Sequence, residues 1–284
     1  MQTVAQWTSF DGRQSVHTHA SADCACDMTF AVFLPPPALT PARDRKLPVV
    51  WYLSGLTCTY ANVMEKGEYR RTAAELGLIV VCPDTSPRGA DVPDEKDNWQ
   101  FGSGAGFYLD ATEAPFAKNY RMYSYVTSEL PALIEKEFPA DMARQGIFGH
   151  SMGGHGALTL ALRHPGQWRS VSAFAPICAP SQCPWGEKAF TGYLGPDRAA
   201  WASHDACELL RSRGPLPCQL LVDQGLDDKF LAEQLKPELL EAAAEATGQR
   251  LTLRRHAGYD HSYWFIQTFV ADHVAHHAQA LGAG

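Results

Sequence analysis

The string Gly149-His150-Ser151-Met152-Gly153 sets a serine between two glycines in the pattern G-x-S-x-G. A serine hydroxyl is a weak nucleophile until a neighbouring base takes its proton. The pattern serves that chemistry where a strand turns sharply into a helix. The turn is too tight for side chains beside the serine, and it lifts the hydroxyl to the positive end of the helix. In such an arrangement an acid and then a histidine follow the serine along the chain. Of the later histidines His261 has the right setting, after Ala257-Gly258-Tyr259-Asp260 and before the last helix. His150 and His155 are too close in sequence to fold back onto Ser151. His164 ends the elbow helix, His204 has no strand before it, and His256 belongs to a strand. His273, His276 and His277 have helical spacing, and near the C-terminus solvent exposure is expected for them rather than metal binding.

The acid is expected in Asp223-Gln224-Gly225-Leu226-Asp227-Asp228. Asp223 ends a strand. Asp227 and Asp228 lie beyond the glycine, where a side chain can bend back toward the histidine loop. Spacing alone leaves these two equivalent, with one of them a helix N-cap. Asp260, adjacent to His261, would point away from the ring it must hold. Two backbone N–H groups must face the oxygen that gains negative charge. Met152, the residue after the nucleophile, supplies one, and Leu56 in Ser54-Gly55-Leu56-Thr57-Cys58 supplies the other. Trp185 is a candidate wall of the acyl pocket. Cys58, two residues from Leu56, is a thiol whose alkylation would reach the site.

These groups need a scaffold that brings distant loops together. Strands are expected at Leu47–Leu53, 78–82, 145–148, Ser170–Phe174, 219–222 and 250–256. Helices are expected at 62–76, closed by Gly77, and at 123–138, Met152–Arg163, 230–247 and 262–281. Strands alternating with helices at this spacing give a mainly parallel sheet covered on both faces. Residues 7–10 and 28–34 suit an antiparallel pair at its edge, and 35–41 a loop between strands. In such sheets sites form at the carboxyl ends of the strands. The fold class is therefore α/β, and one domain over 1–284 is expected because Ser151, the acid and His261 must meet.

Composition agrees. The 284 residues are 45% hydrophobic and 19% charged, too apolar for a disordered chain. The net charge of −7 argues against nucleic acid or anionic membrane as the main partner. The N-terminus has no basic start and no apolar segment of a secretory signal, and no apolar run nears the ~18 residues of a membrane span. A soluble cytoplasmic protein is expected. Eight scattered cysteines then read as reduced thiols, and Cys24-x-Cys26 lacks the spacer of a metal or redox motif.

Longer strings resemble one family. Gly149-His150-Ser151-Met152-Gly153-Gly154-His155-Gly156 is similar to the elbow of the S-formylglutathione hydrolases, or esterase D family. So are residues 52–59, 83–89 and 101–112, Ser172-Ala173-Phe174-Ala175-Pro176-Ile177-Cys178, Cys183-Pro184-Trp185-Gly186 and Gly258-Tyr259-Asp260-His261-Ser262-Tyr263. The likeness runs from about residue 10 to 281. It implies an α/β-hydrolase with a Ser151–Asp228–His261 triad, Asp227 falling at a variable position, and with Leu56 and Met152 as oxyanion donors. It implies hydrolysis of S-formylglutathione, a small-molecule thioester, without metal or cofactor; many members of the family form homodimers. The chain departs from the pattern at Val63, where an aromatic residue is usual, and in Lys66-Gly67-Glu68. The alternatives are a broader serine carboxylesterase, a fold-related acyltransferase and a catalytically inactive scaffold.

Overall fold

Strands β4 (Leu47–Leu53), β5 (Ile79–Pro83) and β7 (Ser170–Phe174) are buried at every residue. A strand with no polar face must have both sides of its sheet covered, as in parallel sheets flanked by helices. The computed structural model describes residues 1–40, 46–95 and 97–283. In it β1 (Gln2–Ser9), β2 (Gly12–Ser21) and β3 (Cys26–Leu34) precede these strands, and β6 (Ala140–His150), β8 (Leu220–Gly225) and β9 (Leu251–His256) complete one sheet. The order is β1-β2-β3-β5-β4-β6-β7-β8-β9. From β5 to β9 all pairs are parallel; β1, β2 and β3 form the antiparallel edge. This is the expected α/β class.

The edge is built differently from the expected pair. β1 pairs with β2, Trp7 opposite Gln14, and β3 pairs with β2 and β5. Phe10 and Asp11, both at positive φ (48° and 56°), make the two-residue turn that matches strand twist. β2 escapes a hydrophobicity search because its buried residues include Gln14, Ser15 and His17. They are tied internally: Gln14 Nε2 donates to the Val32 carbonyl at 3.1 Å and Tyr69 Oη to Gln14 Oε1 at 2.9 Å.

The helix expected over 62–76 is two, α1 (Tyr60–Lys66) and α2 (Arg70–Leu76). Glu68 at φ 54° breaks the run, and Gly77 at φ 70° closes α2. The unusual residues here pack together: a Cβ on Gly67 would come within 2.6 Å of Val63 Cγ2. α3 (Met122–Ser124), a π-turn (Tyr125–Glu129) and α4 (Leu130–Glu137) make one helical run, its wide turn just ahead of Pro131. α5 (Met152–Arg163) follows β6 as expected. No element is expected between 175 and 218, yet α6 (Pro184–Leu194), α7 (Arg198–Trp201) and α8 (Ala206–Arg213) lie there. Each is short and starts at a local signal, Pro184 or the capping carboxylates of Asp197 and Asp205. Lys236, left-handed at φ 50°, cuts the helix expected over 230–247, so α9 spans Pro237–Thr247. α10 spans Tyr263–Leu281. In the 35–41 loop, Pro36–Leu39 form a 3-10 turn and Pro41 lies outside the described residues.

The exposure expected for the α10 histidines is wrong. His273 and His277 are fully buried, and His276 is half-buried. α10 lies against β7, whose small Ser170 and Ser172 accommodate the rings: His277 Nδ1 is 2.6 Å from Ser170 Oγ and its Nε2 3.0 Å from Ser172 Oγ, while His273 Nδ1 is 2.8 Å from Ser172 Oγ. His273 Nε2 also faces buried Asp223 at 3.3 Å. Arg254 grips both Asp223 oxygens at 2.6 Å and reaches Asp272 at 2.7 Å. One carboxylate thus ties β8, β9 and α10.

Burial pushes the Asp223 carboxyl up, but the adjacent His273 ring and the two hydrogen bonds and charge of Arg254 outweigh it and hold it at about 2. A depressed folded-state pKa adds stability that is present above the unfolded value near 4 and lost as pH falls through the folded value. Asp223→Asn is expected to lower the unfolding free energy at pH 7 by about 3 kcal/mol, because it strips a buried pair of one partner. It should also flatten the fall in stability between about pH 4 and 2. Urea titrations of both proteins across that window check this; parallel pH curves would refute it.

Candidate active site

Ser151 sits in the turn between β6 and α5 at φ 58°, ψ −117°, a conformation L-residues rarely adopt. Glycines make it attainable. A Cβ on Gly149 would lie 2.6 Å from the Leu53 carbonyl oxygen, and one on Gly153 would overlap the backbone at Leu53 and Ser54. The Ser151 N–H donates to the Phe174 carbonyl at 2.9 Å, which fixes the turn to the end of β7. The Ser151 side chain makes no capping bond to α5, so the helix does not consume its hydroxyl.

The end of β4 comes to the same place. A Cβ on Gly55 would stand 3.1 Å from Ser151 Cβ and 3.1 Å from the His150 carbonyl oxygen. The Leu56 loop is therefore pressed against the elbow. It is held by Tyr108 Oη donating to the Ser54 carbonyl at 2.8 Å and by the Thr57 N–H donating to the Gly104 carbonyl at 2.9 Å. Among the described residues no backbone carbonyl accepts the N–H of Leu56 or of Met152. Met152 opens α5, where N–H groups lack intrahelical partners.

At the ends of β8 and β9, His261 Nδ1 lies 2.5 Å from Asp228 Oδ2. Asp228 is 5% exposed, whereas Asp227 faces solvent. Asp228 Oδ1 accepts the Phe230 N–H at 2.8 Å, and Gln224 Nε2 donates to Oδ2 at 3.3 Å. The carboxylate thus caps the next turn and holds the imidazole at once. Asp260 accepts from the Ser262 N–H and hydroxyl and does not touch the ring. Among the described residues His261 is bonded to Asp228 and not to Ser151. Catalytic hydrogen bonds often tighten only with substrate in place.

Aromatic groups surround His261. His150 stacks obliquely on it with ring centroids 4.4 Å apart, and Phe230 stands edge-on at 5.1 Å. Burial and the charge of His261 push the His150 pKa well below its ordinary value, so that ring stays neutral. Trp185 is buried 4.6 Å from Phe230, and the exposed Trp99 packs on Trp185 at 5.5 Å. Trp185 is therefore one ring removed from His261. The Cys58 carbonyl accepts from Thr85 Oγ at 2.5 Å and Arg88 Nη2 at 3.1 Å. Burial pushes the Cys58 thiol up, which keeps it protonated and a poor nucleophile. Among the described residues no cluster of His, Cys, Asp or Glu is arranged to hold a metal ion, and no helix is long and apolar enough to cross a membrane.

Sequence spacing does not reveal Phe230, Gln224, His150 or Tyr108 as parts of this site. Gln224 lies four residues before the acid and Phe230 two after it, and that proximity is the signal that could have found them. Tyr108 comes from a loop more than forty residues before the elbow.

A sheet of this topology with a serine at such a turn defines a serine hydrolase of the α/β-hydrolase fold. The comparisons narrow the class. Residues 21–276 match the family model described as "Putative esterase". The chain is 53% identical to the S-formylglutathione hydrolase of Mus musculus over 284 residues, covering 100% of this chain and 99% of that protein. It is 52% identical to that of Paracoccus denitrificans over 281 residues, covering 99% and 98%. It superposes on the structure of an S-formylglutathione hydrolase from Agrobacterium tumefaciens with a TM-score of 0.96, at 59% identity, covering 99% of this chain and 100% of that one. The chain belongs to the S-formylglutathione hydrolase family of esterases.

Proposed function

We propose that the chain hydrolyses S-formylglutathione to glutathione and formate through Ser151, His261 and Asp228, and that it works as one hydrolase domain over 1–284. The chemistry rests on one observation: the Ser151 turn is pressed against the Gly55–Leu56 loop at the strand ends that carry the 2.5 Å His261–Asp228 pair. The choice of thioester rests on full-length identity of about half to enzymes of that name.

His261 Nε2 takes the Ser151 proton as Oγ attacks the formyl carbon. The Leu56 and Met152 N–H groups receive the oxyanion. The imidazolium passes its proton to the departing thiolate, and glutathione leaves. Water, deprotonated by the same imidazole, then attacks the formyl-serine; the bond from the acyl carbon to Oγ breaks, the imidazolium returns its proton to Ser151 Oγ, and formate leaves. Asp228 keeps Nδ1 protonated and stabilises the cation without taking the proton. A small acyl group suits a site walled by Phe230 and Trp185. A cytoplasmic setting fits eight free cysteines and a glutathione thioester.

Specificity constants for S-formylglutathione, S-acetylglutathione and p-nitrophenyl acetate test the substrate. The formyl thioester should lead by at least about tenfold, near 1.4 kcal/mol of transition-state binding. A clear lead for the aryl ester would replace this proposal with a general carboxylesterase.

A further inference from the structure

A cleft of about 540 Å³ opens at the N-terminal ends of β7, β8 and β9, the opposite end of the parallel strands from Ser151. Trp168 and Arg169 line it just before β7, Arg250 just before β9, and His276 and Gln279 from α10. A five-residue strand spans roughly 17 Å, so an occupant would touch none of the groups at the elbow.

Its charge is the reverse of the chain's. Two arginines and no carboxylate line it, in a protein of net charge −7. Those arginines are also available. Arg88, Arg144, Arg254 and Arg255 each meet a carboxylate, whereas among the described residues Arg169 and Arg250 meet none. Arg250 donates Nη2 to the Pro217 carbonyl at 2.6 Å. Trp168 and His276 also line the cleft, with the indole N–H and Nε2 themselves turned into the protein, Nε2 out of reach of an occupant.

We propose that this cleft binds a small phosphate monoester. Guanidinium forks match phosphate oxygens in pairs. The donors come from the start of β7, the start of β9 and α10, which suits an anion with oxygens on all sides. A phosphate with a second pKa of about 6 offers acceptor oxygens and, part of the time, a hydroxyl donor. Its tetrahedral oxygens also carry up to two charges on one centre, where each carboxylate carries one charge in a plane. The cleft has space beyond one phosphate for the organic part.

The test is isothermal titration of the full chain with inorganic phosphate, glycerol 3-phosphate and succinate at matched ionic strength. Both phosphates should bind saturably with one site, and succinate at least about tenfold more weakly. The double variant Arg169→Ala/Arg250→Ala should weaken phosphate binding by about tenfold or more and leave kcat/KM on S-formylglutathione unchanged. Both side chains are exposed, and circular dichroism checks that the variant keeps its fold. Absence of saturable binding up to about 20 mM, binding undiminished in the double variant, or succinate binding as tightly as phosphate would each overturn the proposal.

Discussion

Ser151→Ala is expected to lower kcat by about 10⁴–10⁶-fold while the protein still folds. The size of the loss follows from what the hydroxyl supplies. Without Oγ no acyl-enzyme forms, and hydrolysis must proceed by direct attack of water in one step. The Leu56 and Met152 N–H groups would still stabilise an oxyanion, so a residue of catalysis over water remains. Folding survives because the replacement asks nothing new of the backbone. Alanine, like serine, carries a Cβ, so the strain at φ 58° is unchanged, and the bond from the residue 151 N–H to the Phe174 carbonyl is kept. Steady-state turnover together with a thermal melt gives the answer. A folded variant with turnover within tenfold of wild type would remove Ser151 from the mechanism.

Asp228→Asn is expected to cost about 10³–10⁴ in kcat with little change in KM. The surrounding hydrogen bonds decide which way the amide turns. Oδ1 accepts the Phe230 N–H, so the amide oxygen must occupy that position. The nitrogen then takes the place of Oδ2, facing His261 Nδ1. An amide N–H there donates to Nδ1 and drives the ring proton to Nε2. That nitrogen can no longer accept the serine proton. Gln224 Nε2 would also lose its acceptor at that place, which adds a small stability loss. Asp227→Asn is the internal control: its side chain is exposed, and turnover should be unchanged. Near-normal kcat in Asp228→Asn would show that the carboxylate does not set the tautomer.

The parts legible in the sequence are those where local chemistry and global fold demand the same residue. β4, α5 and β7 match their expected bounds because apolar runs and small residues leave no other arrangement. The elbow is legible because only glycines fit at 149 and 153. Local spacing could not separate Asp227 from Asp228. Their difference is burial, which depends on how β9 brings the His261 loop over the end of β8. β2 was hidden by polar residues satisfied through partners on other strands. The buried histidines of α10 were hidden likewise, since their serine and aspartate partners lie 50 to 107 residues away. Of the helices between 175 and 218, α7 and α8 are too short for a periodic signal.

The place of β9 at the rim of the sheet has one more consequence. Among the described residues it has a partner on one side only, β8, and its residues are mostly half-buried. His261 hangs between this rim strand and α10, while Ser151 stands in the interior of the sheet, just past the end of β6. Proteins open locally at such rims at lower free energy than their cores. Fraying of β9 would carry the imidazole away from the serine with β4, β6 and β7 still paired. Loss of activity on mild denaturation would then register the detachment of one margin rather than melting of the whole. Since His261 lies more than a hundred residues after Ser151 along the chain, a nascent chain holds its nucleophile well before it holds its base.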